Sequence, residues 1–275
     1  MPEFIVGARL HDYGKGMIDE LLGRVAADGF SAVQLAYKKC IQSVKSYADV
    51  TDTLVADTLT AQSAYHVKTA VLGTYVELAI NDESRLQNVA DFKSQLAVCK
   101  ALGAGCIGTE TTNMVKQPAG TTREEAQDLL CRSLAEILPV AEELGVLVAV
   151  EPVTYHSMNS PAAVRHILDT LRSPNLKVIF DMSNLVDAGS VDHQAAIWDQ
   201  VGELWGDQIV AVHFKGQSFK PDGSLLSTSL EESRTDYAGA FAMLRQLPQA
   251  VLPVLREEAV PARAASDITF MKGYF

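Results

Sequence analysis

The chain has 275 residues, 48% of them apolar, and sets 23 Lys and Arg against 34 Asp and Glu for a formal charge of −11. That size and apolar content exclude a disulfide mini-domain or a disordered chain and fit one large α/β barrel or two modest domains. The acidic balance, with a pI near 5.0 and no concentrated basic patch, argues against a nucleic-acid partner.

In chain order, eight short apolar runs read as buried strands: Phe4–Leu10, Ala32–Tyr37, Thr69–Tyr75, Cys106–Thr111, Leu147–Val153, Lys177–Met182, Ile209–Lys215 and Val251–Glu257. Segments rich in Ala, Leu, Glu, Gln and Arg, with apolar residues three and four apart, separate them as helices. The clearest helix follows the fourth run. Thr122 caps its start with Glu125 as capping-box partner, and Gly145 stops it. Pro161 opens the next helix as a first-turn proline, and Gly189 to Asp192 lead into another around Trp198. Trp198 and Trp205, seven apart, share one helix face and are expected to pack.

Eight strand–helix units in a chain of this length predict a single (β/α)8 TIM barrel domain spanning 1–275, because an open doubly wound sheet has fewer strands and a phosphate fingerprint after the first. Gly103-Ala104-Gly105-Cys106-Ile107-Gly108 satisfies GxGxxG, but it leaves a helix and enters a strand. That order is the reverse of the one that presents amides to a pyrophosphate. Cys40, Cys99, Cys106 and Cys131 are scattered among apolar neighbours and read as buried thiols in a reducing compartment. With no signal-like N-terminal stretch and no membrane-length apolar run, the expected location is cytoplasmic, away from any membrane.

In such a barrel the chemistry sits at the C-terminal ends of the strands. Near its C-terminal end the fifth run carries Glu151, the sixth Asp181, the seventh His213 and the eighth Glu257, with Glu258 next in sequence. Three carboxylates and one imidazole on consecutive strands form a hard donor set for a single divalent ion, Mn²⁺, Mg²⁺ or Co²⁺, with Zn²⁺ also compatible. Only one of Glu257 and Glu258 can face the barrel axis.

The stretches Val150-Glu151-Pro152, Ile179 to Leu185, Val212-His213-Phe214-Lys215 and Leu255-Arg256-Glu257 resemble the sugar-phosphate isomerase/epimerase family of xylose-isomerase-like TIM barrels. That family includes ketose 3-epimerases, hydroxypyruvate isomerase, inosose dehydratase and, more distantly, endonuclease IV-type apurinic endonucleases. The resemblance implies one metal held by Glu151, Asp181, His213 and Glu257, the spacing to Pro261 favouring Glu257 over Glu258. It further implies that Glu151 and Glu257 exchange protons on opposite faces of the substrate. Two positions depart from the ketose epimerases: Asn184 stands where they carry a histidine, and Phe219 where they carry an arginine.

His11 after the first run, Glu110 at the end of the fourth, His156 beyond Glu151, Asn184 and Lys215 are candidate substrate-binding residues at the same rim. His66, His166 and His193 are expected away from it. Lys215, Lys116 and Arg123 are the cations that could meet a phosphate. The expected function is a metal-dependent isomerase or epimerase of a small ketose, polyol or sugar phosphate, acting by proton abstraction α to a carbonyl. A lyase of inosose dehydratase type would begin with the same step, and a non-enzymatic binding barrel is the rival of another class. A trinuclear zinc nuclease would need further histidines and a less acidic surface. The partner expected is a small carbohydrate, and homo-oligomerisation is left open.

Overall fold

The computed structural model describes Met1–Phe275. Ten strands form: β1 (Glu3–Arg9), β2 (Ala32–Leu35), β3 (Lys68–Gly73), β4 (Cys106–Glu110), β5 (Val148–Glu151), β6 (Leu176–Asp181), β7 (Ile209–Phe214), β8 (Gln217–Phe219), β9 (Leu225–Ser227) and β10 (Val251–Arg256). All but β8 and β9 close into a parallel barrel in the order β1-β10-β7-β6-β5-β4-β3-β2. The helices are α1 (Ile18–Ala27), α2 (Tyr37–Cys40), α3 (Asp52–Tyr65), α4 (Asp82–Leu102), α5 (Arg123–Leu144), α6 (Pro161–Leu171), α7 (Gln194–Trp205), α8 (Tyr237–Leu244) and α9 (Ala264–Lys272). No helix is long and apolar enough to cross a membrane.

Local signals account for the helix ends. Thr122 Oγ1 accepts from the Glu125 amide while Glu125 Oε2 accepts from the Thr122 amide, so two first-turn donors are satisfied. Gly145 ends α5 at φ 69°, a left-handed position that a Cβ disfavours. Ser160 caps α6 ahead of Pro161. Periodicity then decides which helix face is buried. On α1, Ile18, Leu21, Leu22 and Val25 point inward, a spacing of three and four residues that forms one apolar stripe.

Two apolar regions hold the barrel. The larger lies between its outer wall and the helices. There Trp198 and Trp205 flank Phe180 at 5.7 and 6.0 Å, and Trp205 Nε1 donates to the Pro161 carbonyl. The smaller fills the barrel interior with Ala32, Val71, Cys106, Ala149, Ile179, Ala211 and Leu255. Only two of these seven side chains are large, and glycine makes room for each. A Cβ on Gly7 would lie 2.5 Å from Leu255 Cδ2, and one on Gly108 would lie 2.5 Å from Ile179 Cδ1. Within the GxGxxG sequence Gly103 ends α4 at φ 60°, and Gly105, like Gly108, is a packing site, since a Cβ there would lie 2.7 Å from the Ala70 carbonyl oxygen.

Since side chains alternate with period two, the residues two positions beyond this interior layer face the same axis one level higher. Ala149 leads to Glu151, Ile179 to Asp181, Ala211 to His213 and Leu255 to Glu257. The packed floor and the polar rim are successive layers of one pattern.

Some expected boundaries require correction. The second run ends at Leu35 and Tyr37 begins α2, while the third ends at Gly73, because Tyr75 takes φ 54° and leaves the strand. The antiparallel hairpin of β8 and β9 was not anticipated. Its three-residue strands are too short for alternation to register.

Candidate metal centre and substrate cleft

Glu151, Asp181, His213 and Glu257 are all buried, and one ligand atom from each lies within 4.8 Å of the others. His213 Nδ1 is 3.1 Å from Glu151 Oε2 and 3.3 Å from Glu257 Oε1. Glu257 sits one residue past β10, and its amide donates to the Phe214 carbonyl at 3.1 Å, which keeps its side chain in the inward phase of the strand. Glu258 takes φ 55° and turns outward to bond Ser227 Oγ.

Each carboxylate is oriented by neighbours. Asp181 Oδ1 accepts from the backbone amides of Ser183 and Asn184 at 2.8 and 2.9 Å, an Asx turn in which the short Asp side chain satisfies the amides two and three places after it. Asn184 Nδ2 donates to Glu151 Oε1 at 2.7 Å, and Asn184 Oδ1 accepts from Lys215 Nζ at 2.7 Å. The Lys215 ammonium also lies 3.0 Å from Asp181 Oδ2 and 3.7 Å from Glu257 Oε2. Arg9 Nη1 stands 3.5 Å from Glu257 Oε1.

Burial and charge pull these groups apart in proton affinity. Burial pushes Asp181 up to about 6, against the pull of Lys215. Burial would raise Glu257, but His213, Lys215 and Arg9 together hold it down at about 2. For His213, burial favours the neutral ring, yet Glu257 and Glu151 outweigh it and raise the group to about 9.

The set fits a cation on its own terms. His213 Nε2 is buried with no hydrogen-bond partner, and the polar neighbours of His213 Nδ1 and Asp181 Oδ2 are the ionic groups of the cluster itself, Glu151 Oε2, Glu257 Oε1 and Lys215 Nζ. Three carboxylates gathered this closely in a buried site call for a further positive charge between them. The donors are three carboxylates and an imidazole with no thiolate, a combination suited to hard or borderline divalent ions.

Beside the quartet lies a cleft of about 370 Å³ lined by Arg9, Lys39, Tyr75, Glu110, Tyr155 and His156 among others. Glu110 stands level with Glu151 on the neighbouring strand, and burial, reinforced by Glu151 and Glu257, pushes it up to about 7. His156 is buried in the turn after β5, with burial and then Lys116 lowering it to about 4. His11 follows β1 and packs edge-on against Tyr75 with ring centroids 5.5 Å apart; burial, Arg9 and Lys39 lower it to about 3.

The structure thus gathers the four proposed ligands, and it puts Glu110 and His156 in the cleft with His11 against its Tyr75 wall. The polar atoms of Asn184 and Lys215 are directed at the carboxylates. His66, His166 and His193 are exposed at helix ends or on a helix face, with no part in the rim. Arg9, Lys39 and Tyr75 were missed by sequence reasoning. Arg9 had a usable signal, since it stands two residues after inward-facing Gly7 and so shares the phase of the rim.

The family model described as xylose isomerase-like TIM barrel matches residues 22–272. Solved structures of similar fold include the IolI protein with a bound zinc atom, 18% identical at a TM-score of 0.76, with 100% of this chain and 99% of that one covered. The 3-keto-D-glucoside 4-epimerase YcjR from E. coli is 15% identical at a TM-score of 0.71, covering 98% and 100%. A xylose isomerase-like TIM barrel protein from Mycobacterium smegmatis in complex with magnesium is 14% identical at 0.71, covering 98% and 95%. No curated protein matches the chain in sequence.

Proposed function

The chain belongs to the xylose isomerase-like TIM barrel family, and from that membership and the geometry of its rim we propose a divalent-metal-dependent isomerase or epimerase. Its substrate would be a small ketose, polyol or sugar phosphate that loses a proton from the carbon α to a carbonyl. The observation that carries this reading is the buried convergence of Glu151, Asp181, His213 and Glu257. These four would hold one ion, Mn²⁺, Mg²⁺ or Co²⁺, with Zn²⁺ also compatible, and similar folds carry zinc or magnesium. An ion held there would supply Lewis-acid polarisation of a substrate carbonyl and offset the negative charge that develops on its oxygen.

The chain's own residues supply the rest. Glu151, oriented by Asn184, presents a carboxylate for proton exchange on one face of the substrate, and Glu257 serves the other face. In the ion-free protein His213, Lys215 and Arg9 keep Glu257 ionised, and Lys215 and Arg9 retain that role when His213 gives up its proton to become a ligand. Lys215 places a permanent cation beside the developing oxyanion. Glu110, His156 and His11 hold substrate hydroxyls along the cleft.

The test is solvent exchange. Protein purified without chelator and loaded with Mn²⁺ is incubated in D₂O with ketoses, sugar phosphates and inososes, and the products are read by NMR. The expected result is deuterium at the α carbon of one substrate together with its isomer. Loss of water from the substrate would identify a lyase instead, and no conversion across the panel would contradict the proposal.

A further inference from the structure

The proposed function leaves the charge of the substrate open, and the cations around the cleft narrow it. Arg9 donates to Asp12 Oδ1 at 2.8 and 3.0 Å and faces Glu257. Lys215 is paired with Asp181, and Lys116 with Glu77. Arg123, at the start of α5, donates to the Thr154 carbonyl at 3.4 Å. The three cations that the sequence offered for a phosphate therefore all have partners within the protein.

Lys39 does not. It lines the same cleft, remains exposed, and has no acidic side chain within ion-pair distance; its Nζ lies 3.3 Å from the centroid of the Tyr75 ring. The ring beneath it is held at some cost. Tyr75 takes φ 54°, a left-handed backbone that is rare for a bulky residue and is found where surrounding structure imposes it. Gln34 Nε2 donates to the Tyr75 hydroxyl at 2.8 Å, and His11 packs edge-on against the ring. Gly73 leaves room for both, since a Cβ there would meet Gln34 Nε2 at 3.1 Å and Tyr75 Cε2 at 3.2 Å. A cation that rests on an aromatic face and forms no ion pair still has N–H donors to offer an anion entering the cleft. In a chain of net charge −11, such a cation also offsets the general repulsion of an anionic ligand.

We propose that the cleft takes an anionic substrate, whose carboxylate or phosphate is held by Lys39 above Tyr75 while its carbonyl end reaches the Glu151, Asp181, His213 and Glu257 quartet. This rests on the rim being a substrate site, and it names the class of that substrate. Lys39 acts as a specificity residue at the end of the molecule remote from the chemistry.

Binding tests it without turnover. D-Glucitol, D-glucitol 6-phosphate and D-gluconate share an acyclic polyol chain and lack the ketone that enolisation needs. Calorimetry on the Mn²⁺-loaded protein should find at least one of the two anions bound about tenfold more tightly than glucitol, the gain expected of one charge-assisted contact. Whichever anion wins identifies phosphate or carboxylate as the natural group. Lys39→Met should abolish the preference, Lys39→Arg should keep most of it, and Mn²⁺ affinity should be the same in all three proteins. Anions bound no more tightly than glucitol, or a preference that survives Lys39→Met, would overturn the proposal. The proposed isomerase would stand in either case if a neutral ketose exchanges its α proton, whereas failure to bind Mn²⁺ would overturn the isomerase reading itself.

Discussion

Glu257 Oε1 lies 3.3 Å from His213 Nδ1, although in the β7–β10 ladder His213 stands level with Leu255, two residues earlier. Strand tilt in a closed barrel brings the side chain from the next level across to its neighbour. Glu257 thereby joins the quartet, while Glu258 turns to β9. Glu257→Gln should lower turnover by about 10²–10⁴-fold by removing a base while keeping the side chain's shape. Glu258→Gln should stay close to the parent enzyme. Steady-state kinetics on both variants checks this, and a reversed pair of results would place the wrong glutamate at the axis.

Metal binding should release protons. His213 is raised to about 9 by Glu257 and Glu151 despite its burial, so at pH 7 the ion-free protein carries a proton that a cation must displace. About one proton should leave per ion at pH 7. Release should decline to none as pH rises past about 9, and should grow below about 6, where Asp181 also holds a proton. Calorimetry in buffers of differing ionisation enthalpy reads the number directly. No release at pH 7 would mean that His213 is neutral or is not a ligand.

His11 and His156 give the opposite sign in folding. Burial lowers them to about 3 and about 4, from 6.5, so between about 4 and 6.5 the unfolded chain binds more protons than the folded one. Stability should therefore fall as pH is lowered through that window. Denaturant midpoints at pH 7.5, 6 and 5 should show a shallower decline in the His11→Asn, His156→Asn double variant than in the parent protein. Equal slopes would contradict the burial argument.

The barrel was legible because each strand is an apolar run between helix-patterned segments, and the quartet because each ligand is the first acidic or imidazole group after such a run. The parity that separates Glu257 from Glu258 was also in the sequence, once an inward residue such as Leu255 is identified. Arg9, the last residue of β1, was legible in the same way, two places after inward-facing Gly7. The contributions of Lys39 and Tyr75 were not: Lys39 is one of two lysines in a short turn of helix, and Tyr75 reaches the cleft through a left-handed backbone, which side-chain periodicity does not encode. The hairpin of β8 and β9 is tied to the barrel by tertiary contacts, among them the buried Gln217 Nε2, which donates to the carbonyls of Ser183 and Val186.

Packing below the rim can be tested separately. A Cβ on Gly108 would meet Ile179 Cδ1 at 2.5 Å, so Gly108→Ala should cost about 1–3 kcal/mol through overpacking. Ile179→Val deletes that Cδ1 and alone should cost about 0.5–1.5 kcal/mol. Combined, the two should be less destabilising than their sum, because the second relieves the clash created by the first. Strict additivity in denaturant unfolding would show that the interior layer absorbs a methyl group elsewhere.

The central claim is that one divalent ion sits among Glu151, Asp181, His213 and Glu257, and equilibrium binding of Mn²⁺ followed by electron paramagnetic resonance tests it most directly. The parent protein should bind about one tightly held ion per chain, and Asp181→Ala and His213→Ala should each weaken that site by at least about tenfold while remaining folded by circular dichroism. Absence of a tight site in the parent, or undiminished Mn²⁺ affinity in His213→Ala, would contradict the assignment.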